Sequence, residues 1–146
     1  MGLLTGVFIA TDKELSSLRP GMGGPASRFP TVQAKQFDPV KLATLEASVP
    51  HRPDSTSVAD VESGLRMDWG EEFVYRVPQS LASALTELEP GEIACCAAAW
   101  AETEEWRRDA PAATRGQDLA RLLGDLCLLA RRARHEDKAM YVWMSL

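Results

Sequence analysis

The sequence predicts an α+β fold: a helix-rich single domain spanning residues 1–146, with a small sheet built from both terminal strands and one central strand. Three observations carry this reading. Leu3 to Ile9 is a short run containing Val, Phe and Ile, bounded by Gly2 and by Thr11-Asp12, the pattern of a buried strand. At the other end, Met140, Val142 and Met144 alternate with Tyr141, Trp143 and Ser145, the two-residue period of a strand. Between them lie segments whose apolar residues recur at helical spacing. An apolar strand reaching Leu146 is a solubility hazard unless paired and covered, so both ends of the chain are expected in one sheet.

The elements follow in order. After the first strand, Thr11-Asp12-Lys13-Glu14 is a capping box that starts a short helix, which Arg19-Pro20-Gly21 stops. Pro20 to Pro30 is dense in proline and glycine and reads as a loop of irregular backbone; its Gly21-Met22-Gly23-Gly24 lacks the Lys and the helix start of a phosphate loop. Phe29 to Phe37 looks extended. Asp38-Pro39 is a helix start, with Asp as N-cap and Pro in the first helical position, and this helix ends before Pro50. Residues 46–57 turn polar and hold two prolines, the best candidate for a mobile connection. A short helix is expected over Val58 to Leu65.

Phe73, Val74, Tyr75 and Val77 form the central strand, which stops at Pro78. Leu81, Ala84, Leu85 and Leu88 mark the next helix, broken at Glu89-Pro90-Gly91. One helix is expected from about Pro90 to Arg108, and a second, strongly amphipathic, from about Arg115 to Glu136, with Arg131, Arg132 and Arg134 where the helix dipole favours positive charge.

A length of 146 residues fits one domain, and 45% hydrophobic with 25% charged residues is the composition of a packed globular chain. Sixteen Lys and Arg against twenty-one Asp and Glu leave a net charge of −5, which disfavours nucleic acid as a partner. Cys95, Cys96 and Cys127 have no disulfide or metal-site spacing and read as buried free thiols in a reducing compartment. No basic segment precedes the apolar N-terminus, as a signal peptide requires, and no apolar run reaches the ~18 residues of a membrane span. A cytoplasmic location is the expectation.

Catalytic chemistry finds little support in the residues. His51 and His135 both lie in polar surroundings, and the carboxylates Glu102, Glu105 and Asp109 have the look of a solvated helix face with no histidine beside them. No cofactor and no metal are expected. Trp69 stands in a polar turn, and Trp106 follows Trp100 by six residues, which on one continuous helix puts the two rings on nearly opposite sides. Trp69 and Trp106 are therefore candidates for a contact surface. Gln33, Lys35 and Asp38 are polar groups at a loop-to-helix junction and are the remaining binding candidates, against local capping as the plainer role.

The segments Gly2-Leu3-Leu4 with Phe8-Ile9-Ala10-Thr11, Val32-Gln33-Ala34-Lys35 with Asp38 to Leu45, Ala98-Ala99-Trp100-Ala101, and Tyr141 to Leu146 resemble a family of small uncharacterised bacterial proteins over most of the chain. The plan of terminal strands around a helical middle is also similar to that of the YfbM-type family of unknown function. Neither resemblance implies an activity, a cofactor or a catalytic residue. After Leu45 this chain turns polar where the resembling sequences continue as an apolar helix. The expectation that results is a small cytoplasmic bacterial protein of non-enzymatic, protein-interaction type, an immunity, inhibitor or adaptor domain. A hydrolase or transferase using the Gln33/Lys35/Asp38 junction is the alternative, and homo-oligomerisation through Trp106 or a strand edge is a third. A concave pocket with convergent polar groups would favour the enzyme, and such a pocket is expected to be absent or weak.

Overall fold

A computed structural model describes residues 4–35, 37–49, 58–109 and 112–146. The fold is α+β, with a five-stranded antiparallel sheet among the described residues in the order β2-β1-β5-β4-β3. The strands are β1 (Leu4–Ala10), β2 (Thr31–Lys35), β3 (Leu65–Asp68), β4 (Glu72–Arg76) and β5 (Ala139–Ser145). The helices are α1 (Asp12–Leu15), α2 (Pro39–Ser48), α3 (Val58–Glu62), α4 (Gln79–Glu87), α5 (Pro90–Ala101), α6 (Glu104–Asp109) and α7 (Ala112–His135). No helix among them is long and apolar enough to cross a membrane.

The two end strands are the middle of the sheet. β1 and β5 pair from Leu4↔Ser145 to Ala10↔Ala139 without a register shift, and β4 then pairs with β5 on its far side. Both central strands are buried on both faces, so their alternate residues enter different clusters. Val7, Ile9, Met140, Val142 and Met144 meet the helices. Phe8, Ala10, Tyr141 and Trp143 point the other way, into a smaller cluster with Leu15, Leu18, Phe29 and Val74. On the helical face α7 lies across the central strands, with α4 and α5 packed against it.

The other face is covered by α1 and the proline- and glycine-rich loop. The capping box forms as its spacing requires: the Glu14 amide donates to Thr11 Oγ1 at 3.1 Å and the Thr11 amide to Glu14 Oε1 at 3.0 Å. The amide bond to Thr11 and the nearby Lys138 ammonium hold the Glu14 carboxyl below its ordinary pKa. Glu72 then ties the loop down, because its carboxylate accepts from the Trp143 indole N–H at 3.0 Å and from the Gly21 amide at 2.7 Å. Gly24, at φ +93°, lies so close over Trp143 that a Cβ there would approach the ring to 2.9 Å.

In the strands, the helix to Arg108 and the burial of Cys95 the structure corrects three expectations. Five strands replace three: Thr31–Lys35 is a true strand, and the helix expected to Leu65 ends at Glu62 so that Leu65–Asp68 can pair with β4. The single helix to Arg108 is two, α5 and α6, separated at Glu102-Thr103. Within the expected mobile connection, Glu46 to Ser48 form the end of α2, while 50–57, including His51, lie outside the described residues. Cys95 is exposed, and only Cys96 and Cys127 are buried.

α7 ends in a Schellman motif. The Lys138 amide reaches back to the Ala133 carbonyl at 2.8 Å and the Asp137 amide to the Arg134 carbonyl at 3.4 Å, with Asp137 in the left-handed conformation at φ 55°. Asp tolerates this conformation better than most residues.

Two outcomes follow from this packing. Gly24→Ala places a methyl group against Trp143 at a positive φ and lowers stability by about 1–3 kcal/mol in urea denaturation. Burial pushes the Cys96 thiol up to about 12 and the Cys127 thiol to about 11, so a thiol reagent near pH 8 modifies Cys95 alone in the folded protein and all three cysteines after unfolding.

Candidate functional site

The junction of β2 and α2 holds the polar residues singled out from the sequence, but it divides them. Thr5 Oγ1 donates to the Phe37 carbonyl at 2.7 Å, fixing the path of the chain from β2 into α2. Asp38 then caps α2, its Oδ1 accepting from the Lys41 amide at 2.9 Å. Asp38 is thereby assigned to local capping. Gln33 and Lys35 are exposed on β2, facing away from the helices, and do not converge with Asp38.

Trp106 is not on the surface. It is 4% exposed, and its ring meets Trp100 edge-to-face at 5.4 Å between centroids. The two rings meet because the helix is not continuous: Thr103 breaks it, its hydroxyl donating to the Trp100 carbonyl at 2.7 Å, and α6 turns Trp106 back onto Trp100. Thr103 followed by Glu104 and Glu105 is an N-terminal signature within the sequence that marks this break. Trp69 is half-buried against the smaller cluster, in the turn between β3 and β4.

Lys41 is the residue that periodicity alone overlooks. It is 0% exposed, with Nζ 4.5 Å from the Trp106 ring centroid and 3.9 Å from Asp38 Oδ2. Trp100 Nε1 donates to the Lys41 carbonyl at 3.1 Å and to Thr44 Oγ1 at 3.3 Å. The Trp106 indole N–H is buried with no hydrogen-bond partner. Lysine is almost never fully buried unless paired, and here a carboxylate and an aromatic face supply that pairing. The assembly holds α2, α5 and α6 together.

Two concavities open near opposite ends of β1. The first is an apolar groove of about 240 Å³ beside β2, on the face away from the helices, formed by Leu4, Gly6, Pro25, Thr31, Ala34 and Trp143 and bordered by Gln33 and Lys35. β2 is an edge strand, and Leu4, 50% exposed, pairs with Lys35 and Ser145 at this end of the sheet.

The second is a polar cleft of about 560 Å³ between the end of β1, the end of β4, the length of α4, the end of α7 and the start of β5. Asp12, Arg76, Gln79, Ser83, Arg134 and Asp137 are among its lining residues. Asp12 Oδ1 accepts from the Tyr141 hydroxyl at 2.7 Å, and burial together with this carboxylate pushes the Tyr141 phenol up to about 12. Lys138 closes one rim, paired with Glu14 at 3.5 Å and Glu136 at 3.3 Å. A convergent polar cleft is therefore present, contrary to the sequence expectation, and it lies away from the Gln33/Lys35/Asp38 junction. Its residues come from three stretches distant in the chain, 10–12, 76–87 and 130–140, so no local pattern announces it.

No family model matches this chain, and neither does any curated protein or solved structure.

The indole pair yields a stability prediction. Trp106→Ala costs about 3–5 kcal/mol in chemical denaturation, whereas Trp106→Phe costs much less, because it keeps a ring against Lys41 and removes the unpartnered N–H.

Proposed function

We propose that this chain is a non-enzymatic protein-interaction domain of the immunity, inhibitor or adaptor kind, acting in the bacterial cytoplasm and binding its partner along the outer edge of β2. The observation that carries the reading is the edge itself. Among the described residues no strand pairs with the outer side of β2, while the apolar groove lies beside it. An extended segment of a partner can add to such an edge through main-chain hydrogen bonds, with alternate side chains entering the groove for specificity. Gln33 and Lys35, exposed and without side-chain hydrogen bonds to described residues, frame that approach.

The alternative enzyme at the Gln33/Lys35/Asp38 junction has less support, since Asp38 is committed to its cap and the other two side chains are directed elsewhere. The buried free thiols Cys96 and Cys127 support a reducing compartment.

A photo-crosslinking amino acid at position 33 tests the interface, with position 128 on the exposed side of α7 as control. The expected outcome is one discrete adduct in cells at position 33, weakened by Lys35→Glu and absent at position 128. An adduct with a second copy of the chain makes the domain a homo-oligomer, and adducts only at position 128 move the interface to α7.

A further inference from the structure

We infer that the polar cleft between β4, α4 and α7 is a binding site for a small metabolite bearing an oxyanion, a carboxylate or phosphate group, held by Arg76 and Arg134. Most basic residues at this end of the fold are already engaged. Arg131 is spent on the carbonyls that end α4, donating to Thr86 at 3.3 Å and to Leu88 at 2.5 Å. Arg132 pairs with Glu136, and Lys138 with Glu14 and Glu136. Arg76 and Arg134 are different. Both line the cleft, and among the described residues neither guanidinium makes an ion pair or a hydrogen bond.

Acceptors are not lacking. Asp12, Glu87 and Asp137 line the same cleft, yet Asp12 is engaged by the Tyr141 hydroxyl, Glu87 has an interaction elsewhere, and among the described residues no carboxylate pairs with these arginines. The charged lining balances at three acids, Asp12, Glu87 and Asp137, against three bases, Arg76, Arg134 and Lys138, so the attraction for an oxyanion is local to the two unpaired guanidiniums. A guanidinium presents a rigid fork of donors that matches a carboxylate or phosphate in a bidentate pair.

The rest of the wall suits the remainder of such a molecule. Gln79 begins α4, and its N-cap Pro78 offers no side-chain acceptor, so the positive end of this helix also favours an anion there. Ser83, whose Oγ accepts from Gln79 Nε2 at 3.3 Å, keeps its hydroxyl hydrogen to donate, and the carboxylate of Asp12 accepts a donor such as a ligand hydroxyl. A volume of about 560 Å³ exceeds what a bare ion needs and falls within the range of metabolite sites.

The test is an amide-resolved NMR titration of the full chain with inorganic phosphate and with glycerol 3-phosphate, each at matched ionic strength against sodium chloride. Saturable shifts are expected at Gln79, Ser83 and Asp137, with glycerol 3-phosphate binding more tightly than phosphate. Arg76→Gln and Arg134→Gln each raise the dissociation constant about tenfold or more, while Arg107→Gln, at an exposed position of α6, leaves it unchanged. Arg134 is exposed, so its variant keeps the fold even where Arg76→Gln is destabilising; Arg76→Lys, which keeps the charge and loses the fork, is expected to bind at an intermediate level. Shifts that sodium chloride reproduces, shifts scattered over the surface, saturation that survives Arg134→Gln unchanged, or no saturation by about 10 mM of either probe each overturn the assignment.

Discussion

Burial of β1 and β5 on both faces is the constraint on which the rest of the molecule depends. A strand with one wet face needs one cover, and these two need two. The pairing Phe8↔Tyr141 on one side and Val7↔Val142 on the other leaves no polar face to turn toward water. The helices supply the first cover. The second is made cheaply, from a four-residue helix and a loop that would have little structure of its own without Glu72 and the Trp143 ring to hold it. Proline and glycine suit this role because a loop bent down onto a flat aromatic surface needs backbone conformations that other residues resist.

The helical cover has its own internal fastening, and it is not purely apolar. Packing three short helices brings polar groups near the core, and Trp100 donates its indole N–H to the Lys41 carbonyl in the first turn of α2 while filling space. Lys41 does the same in reverse, placing its stem among aromatic rings and its ammonium between a carboxylate and the Trp106 face. Removing one partner of such a group leaves a buried charge uncompensated, which is why polar cores specify one arrangement more sharply than apolar ones tolerate many.

Much of this was legible in the sequence where a local pattern and its tertiary role agree. Thr11 to Glu14, Asp38-Pro39, the stripe of α7 and the alternation of β5 are each complete within a few residues, and each forms as its pattern says. The misses have a common cause. β3 is four residues with an irregular register, exists because β4 offers it an edge, and carries no alternation of its own. The break before α6 was hidden by continued helical spacing, although Thr103 marked it. Of the five candidate site residues, Asp38 and Trp106 are committed to structure, Gln33 and Lys35 border the groove, and Trp69 is half-buried near the loop. The cleft stayed invisible because Asp12, Arg76 and Arg134 are joined only by the closing of the sheet.

The position of β5 has a consequence for how the molecule is made. It is the middle strand, yet it is synthesised after every other described element. Before it leaves the ribosome, β1–β2 and β3–β4 are two hairpins with no common neighbour, and an isolated hairpin is at best marginal in water. The nascent chain therefore carries Phe8 and Val74 uncovered until the seven residues of β5 arrive and join both halves in one step. A ribosome that stalls before Ala139 releases a chain with open strand edges, the feature by which chaperones and proteases tell an unfinished product from a finished one.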